Sequence, residues 1–293
     1  MPRNISKTLY HYTSASALPS ILQTGGTTRL YATHSDYLND NKELSTGITL
    51  IREILEDFPK KLNLPEERLS YLKIYFNNKS DLKGSEGYFL TCFSESTGIV
   101  DQWRGYGNAG YGFALGISHS EIANYASKYD NVHFLKCIYN RDEQVKLITD
   151  TAERANNNYG HFSKSIGIQK DQPRIRNAIN NYTFATTIAE SALRIKHNAF
   201  KQEREWRLVV KHYYDESRVR TISEYVPKLN FRTASRGLIP YISLDLPCVS
   251  KIVVGPSPDQ VGNARAVDIL VKDRKKSMNH EINIKLEDIP YRE

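Results

Sequence analysis

Residues 200–210, FKQEREWRLVV, constrain this chain most, because dense charge runs directly into an uninterrupted β-forming segment. Read as a strand with a side-chain period of two, the segment puts Glu203, Glu205 and Arg207 on one face and Arg204, Trp206 and Leu208 on the other. One face can pack while the other carries chemistry. Two carboxylates beside a guanidinium are costly to aim into a cleft, so an inward orientation points to function. An outward orientation is an ordinary solvated edge strand.

The surrounding pattern predicts an α+β fold. Strand-like stretches fall at 8–12, 29–33, 87–94, 111–117, 132–139, 218–222, 229–232, 239–244, 251–254 and 282–286. Helical stretches interrupt them irregularly. Ser14 is placed to cap a helix that Gly25 and Gly26 stop, and Leu44, Ile48, Ile51 and Leu55 form an apolar stripe that ends before Pro59. Pro65 opens another helix, and 101–104, 118–128, 142–156 and 258–276 also read as helical, whereas 77–85 and 157–173 read as loops. A long helix carrying Ile175, Ile179, Tyr182, Thr186, Ala189 and Leu193 on its inward stripe delivers the chain to residue 200. No repeat or low-complexity linker divides the sequence. The expectation is one α+β domain over 1–293, with helical insertions near 41–85 and 141–198.

With 40% apolar and 25% charged residues, 293 residues can bury a substantial core. A net charge of +7 is compatible with an anionic partner such as nucleic acid. Three widely spaced cysteines, Cys92, Cys137 and Cys248, build neither a redox pair nor a zinc site, so the expectation is reduced core residues and no metal. No stretch approaches the roughly 18 apolar residues that span a bilayer, and the first residues lack an apolar export signal. A cytoplasmic protein without membrane contact is expected. Nucleophile elbow, phosphate-loop, dinucleotide-fold and zinc-protease motifs do not occur. The candidates left are His11 in the first strand, Ser94 and Ser96 flanking Glu95 at the end of a buried strand, and the Glu203/Glu205 pair. Taken singly, each has a plain structural reading.

Several separated motifs nevertheless occur in one order: LYHYTSASALPSILQTGG, RLYATHSDYLNDNKE, LTCFSES with DQWRGYGNAGYGFALGI, FKQEREWRL, KIVVGP and IPYR. In that order they resemble the pattern of the bacterial DUF2971 family. LYHYTS with its Gly-Gly is also similar to the opening of the DNA-modifying ADP-ribosyltransferase toxins, and EREW resembles the glutamate motif of ADP-ribosyltransferases. The resemblance implies a split, twisted β-sandwich that grips NAD. It implies that His11, with Tyr12 and Thr13, contacts the dinucleotide, that Ser94 supports the nicotinamide ribose, that Tyr31 or Tyr88 stacks, and that Glu205 drives the reaction.

Cleaving the nicotinamide–ribose bond expels a neutral group, so the developing oxocarbenium mainly needs negative charge and ribose contacts. Glu205 would supply both, and Glu203 would accept the proton of the attacking group. The expected activity is NAD-dependent ADP-ribosyl transfer by a bacterial toxin or phage-defence effector. Nucleic acid, RNA or DNA, is preferred over protein as acceptor, and an antitoxin or inhibitor partner is implied. A protein-directed transferase and an NAD glycohydrolase with the same residues are alternatives within enzymology. A non-catalytic binding module for RNA, DNA or a nucleotide is the alternative outside it.

Overall fold

Alternating strands and helices build an α+β fold in this computed structural model, which describes residues 7–23, 27–38, 43–77, 86–106, 111–165, 172–214, 225–234, 237–275 and 281–289. In chain order the elements are β1 (Thr8–Ser14), α1 (Leu18–Ile21), β2 (Thr28–His34), α2 (Glu43–Asp57), α3 (Glu66–Asn77), β3 (Glu86–Ser94), α4 (Val100–Tyr106) and β4 (Gly112–Ser118). They continue with α5 (His119–Ala126), β5 (Val132–Lys136), α6 (Arg141–Asn157), α7 (His161–Ser165), α8 (Pro173–Glu190), β6 (Glu205–Tyr213), β7 (Leu229–Ala234), β8 (Gly237–Leu246), β9 (Lys251–Val254), α9 (Gln260–Lys275) and β10 (Asn283–Leu286). Two compact units result. One comprises Met1–Leu38, Ser85–Lys136 and Gln202–Glu293, and the other comprises Asn39–Gly84 and Cys137–Lys201.

The first unit holds a ten-stranded sheet in the order β10-β9-β4-β1-β3-β2-β8-β7, with β6 joined to β3 and β5. Its ladders are antiparallel except β9 with β10. β3 is the branch point. Along its whole length, from Glu86 to Ser94, it pairs with β6, so its other edge is left for both β1 and β2. β1 takes that edge at Ser94, through Tyr10, and β2 takes it at Phe89 and Leu90. The sheet therefore divides at β3. One face carries the apolar alternation of Leu9, Phe89, Leu115, Leu208, Val210 and Ile252, which packs with Leu18, Ile122 and Val267 from α1, α5 and α9.

The second unit is helical. The expected stripe on α2 is buried at Ile48, Ile51 and Leu55. Within this unit α2 packs on α3 and α6 on α8, and the Arg68 guanidinium lies 3.0 Å from the centre of the Tyr159 ring. Gly47 permits a closer approach than any other residue would, since a Cβ there would stand 2.5 Å from Ala192 Cβ and 2.6 Å from Ala192 Cα.

Several boundaries differ from the sequence expectation. Ser14 does not cap a helix, because TLYHYTS stays extended to pair with β4 through Ser14, and only Leu18–Ile21 is helical. Ile175 is 50% exposed on the first turn of α8, so the buried stripe starts further along, at Asn180 and Phe184. Strand β5 stops at Lys136, and Ile138 makes an isolated bridge to Ile195 in the helical unit. A short helix, α7, lies in the stretch expected to be a loop. The expected strand 218–222, Gly25, Gly26 and most of 77–85 lie outside the described residues.

Replacing Gly47 with alanine tests the close approach. Helix propensity alone would favour alanine by about 1 kcal/mol. The contact with the Ala192 backbone is expected to reverse that sign and destabilise the protein by about 1–3 kcal/mol in a denaturant titration. A stabilised Gly47→Ala protein would refute the packing.

Candidate functional site

The expected strand 200–210 is broken by one residue. Arg204 adopts φ of 45°, the left-handed region that side chains other than glycine seldom enter, and it separates a 3-10 helix, Asn198–Glu203, from β6. Glu203 therefore does not share a strand face with Glu205. It ends the 3-10 turn half-buried, and the pleat begins only at Glu205. Ser94 fixes this junction: its Oγ lies 2.7 Å from Glu203 O and 3.0 Å from Ser96 O, its single proton serving one carbonyl at a time, and it accepts the Ser96 N–H at 3.1 Å.

From Glu205 onward the alternation holds. Glu205 and Arg207 share one face of β6, and Arg207 Nε donates to Glu205 Oε1 at 2.5 Å. The Arg207 side chain is fully buried and that of Glu205 is 8% exposed. Register carries the same face across the sheet, since Glu205 is paired with Ser94, Ser94 with Tyr10, Tyr10 with Gly116, and Gly116 with Lys251. Gly116 leaves room for the Tyr10 ring, whose Cε1 would be 3.2 Å from a Cβ there. Lys251 Nζ lies 3.4 Å from Tyr10 OH. The next row on this face holds Tyr12, Cys92 and Arg207, with Trp103 of α4 packed on Tyr12, Ala114 and Val253.

His11 stands on the other side. It follows Tyr10 in β1 and its ring packs 5.9 Å from that of Phe93, which precedes Ser94 in β3. Its Nδ1 is 2.9 Å from Cys92 O, between the points where β1 and β2 meet β3. A carbonyl only accepts, so Nδ1 carries the proton. Burial, which favours the neutral ring, pushes this imidazole below its ordinary pKa, against the opposing effect of the Cys92 carbonyl, which favours the protonated ring.

The structure thus brings Ser94 and Glu205 together with Tyr10 and Arg207, and sets His11 apart from them. Tyr12 is buried, donates to Ser96 O at 2.9 Å and meets Trp103 edge-on, while burial raises its pKa. Thr13 is buried. Tyr88 is 2% exposed with the Lys211 ammonium 5.8 Å from its ring centre, so it does not present the open stacking face expected of it. Tyr31 does, at 40% exposure, with its ring 4.3 Å from that of Tyr241.

Sequence reasoning passed over Glu95 as a charged centre. Its Oε1 accepts from Lys7 Nζ at 2.6 Å, Trp206 Nε1 at 2.9 Å and Lys136 Nζ at 3.1 Å. Burial alone would raise this carboxyl, but those three donors outweigh it and hold the group down at about 2. No local signal connects Lys7 or Lys136 with Glu95; the pairing of β1 with β3 brings Lys7 near it, and the register of β5, β6 and β3 brings Lys136. Near the end of α9, Lys272 pairs with Asp268 at 2.5 Å and Arg274 lies 3.9 Å from Asp273. Among the described residues no His, Cys, Asp and Glu group is disposed to hold a metal ion, and no helix is long and apolar enough to cross a membrane.

Residues 102–208 match the DUF2971 family model. The family is described as a protein of unknown function. The match runs from α4 into β6, so the DUF2971 segment holds Trp103, Glu203, Glu205 and Arg207, whereas His11, Tyr31 and Ser94 lie outside it. No significant match was found among curated proteins or solved structures.

The Glu95 cluster generates a pH prediction. Its folded pKa of about 2 lies below the ordinary 4.5, so the unfolded chain takes up the proton first as pH falls. The stabilisation is complete above about pH 5 and is lost through the interval down to the folded value. Wild type is therefore expected to melt above Glu95→Gln at neutral pH, and the gap in Tm is expected to close on acidification toward about 2. A gap that stays constant on acidification would show that the lysines do not act on Glu95.

Proposed function

We propose that the protein is an NAD-dependent ADP-ribosyltransferase acting on nucleic acid, as a bacterial toxin or defence effector. The observation that supports this reading most is the register of Glu205 with Ser94 at the end of a strand whose edge divides between β1 and β2. A forked sheet with a carboxylate and a hydroxyl at the junction fits the split sandwich of the ADP-ribosyltransferases. In this reading Glu205 stabilises positive charge at the ribose carbon as the glycosidic bond breaks and nicotinamide leaves with the bonding electron pair. Arg207 holds that carboxylate in one orientation. A nucleophile of the acceptor then bonds to the ribose carbon and gives up its proton to solvent, since the turn at Arg204 keeps Glu203 off the face that carries Glu205. The same steps with water as nucleophile would make the enzyme an NAD glycohydrolase.

One observation favours the non-catalytic alternative, a binding module. Glu205 is almost fully buried and its charge is matched by Arg207, as in a purely structural pair.

Release of nicotinamide from labelled NAD separates the two. Wild type is expected to release it, with labelled ADP-ribose appearing on RNA or DNA rather than on protein. Glu205→Gln is expected to lower the rate by about 10²–10³-fold. Glutamine also leaves Arg207 short of a counter-charge, a loss that costs about 3–5 kcal/mol for a buried pair, so rates are compared per folded molecule after a thermal melt. Should that variant not fold, Glu205→Asp keeps the charge but withdraws it toward the backbone, and it is expected to fold and to be slow. Wild-type turnover in either folded variant would sink the mechanism. Absence of nicotinamide release from wild type with every acceptor would leave the binding module.

A further inference from the structure

Burial alternates along most of β2 and β8, with Thr33 and Ile239 buried on the otherwise more open face. On β8, Ile242, Leu244 and Leu246 are buried, whereas Tyr241, Ser243 and Asp245 point the other way, the first two half-buried and Asp245 exposed. On β2, Leu30 and Ala32 are buried while Arg29 and Tyr31 share the outer face with that β8 row. β7 adds Asn230, opposite Tyr241, and Arg232. A solvated sheet face is expected to be polar. Here it carries two tyrosine rings 4.3 Å apart and tilted by 38°.

The charges around this pair are unbalanced. Asp245 is taken up by Arg29, at 2.8 Å and 3.3 Å. Arg232 reaches across β8 to donate to Thr33 Oγ1 at 3.2 Å, a neutral acceptor, which brings its guanidinium alongside Tyr241. Among the described residues neither Arg232 nor Lys228, at the start of β7, has a carboxylate partner. The face therefore presents aromatic surfaces beside uncompensated positive charge. Single-stranded nucleic acid has the matching chemistry, with planar bases to stack and phosphates to neutralise.

We infer that the outer face of β2, β8 and β7 is a single-strand nucleic-acid platform, with Tyr31 and Tyr241 stacking bases and Arg232 holding the backbone. Tyr31 then serves the acceptor and not the dinucleotide. The role of this platform in presenting an acceptor rests on the transferase reading; binding to it does not, and is measured without NAD. Stacking is tolerant of base identity because every base has a π-face, so both ribose and deoxyribose strands are taken.

The test is fluorescence anisotropy of labelled oligo-rU and oligo-dT of about 12 nucleotides, titrated with the full chain at low and moderate salt. Wild type is expected to bind with an affinity that falls as salt rises. Tyr31→Ala and Tyr241→Ala are each expected to weaken binding about tenfold, within the range for loss of one base stack, while Tyr31→Phe and Tyr241→Phe, which keep the ring, stay within about twofold of wild type. Arg232→Gln is expected to flatten the dependence of log affinity on log salt by about 0.7. Tyr31 is exposed, so its replacement is expected to leave the melting temperature unchanged, and each variant is checked that way. Wild-type affinity in both alanine variants, equal competition by inorganic polyphosphate of matched charge, or no oligonucleotide binding at low salt would each overturn the platform. Binding without nicotinamide release would keep it and discard the transferase.

Discussion

Burying a guanidinium is the constraint to which the centre of the sheet answers. Arg207 has no exposed side-chain surface, and a charge in that position is tolerable only with a counter-charge and hydrogen bonds in place. Glu205 supplies the counter-charge because two residues along a strand return to the same face. That geometry requires the pleat to be running by Glu205. The left-handed Arg204 starts it there, and the Ser94 hydroxyl holds Glu203 O so that the turn cannot slide. A one-residue slip would send both charges into the apolar side with Trp206 and Leu208. The polar pair thus specifies register as much as it contributes to any chemistry.

The same strand pairing forces the division of the sheet. With one edge of β3 wholly occupied by β6, β1 and β2 must share what remains, and they meet it at opposite sides of Cys92. His11 bonds the Cys92 carbonyl at that point. Its depressed pKa is consistent with a ring that works as a neutral donor inside the fold. A histidine so placed can set the angle between the two halves of the sheet without touching a ligand, which is a sufficient reason for an imidazole between Tyr10 and Tyr12 in β1.

Most elements were legible because their signals are local. The stripe on α2, the aromatic run of β3 and the alternation of β8 each appear within a few residues of sequence. Part of the site was legible too, since Glu205 and Arg207 on one face follow from period two alone. The period does not extend back past Arg204, although the residues before it fit the same alternation. A left-handed residue other than glycine leaves no mark in the sequence, so period two alone puts Glu203 on the wrong side of a kink. The Glu95 cluster escaped for another reason: Lys7, Lys136 and Trp206 reach it only through pairings between strands far apart in the chain. The tyrosine pair required knowing that β2 lies beside β8.

These placements bear on how a buried carboxylate could act on a cationic centre. Two opposed charges 2.5 Å apart behave at a distance as a dipole, and a dipole stabilises a developing cation only from its negative end. Orientation then matters more than net charge. Arg207, held without solvent contact, fixes which way the pair points and removes the reorganisation that water would demand. The burial that makes the pair look structural is therefore also what would let it work as a preorganised electrostatic element. The two roles differ in whether a ribose can approach the carboxylate side of the pair, on the face shared by Tyr10 and Ser94.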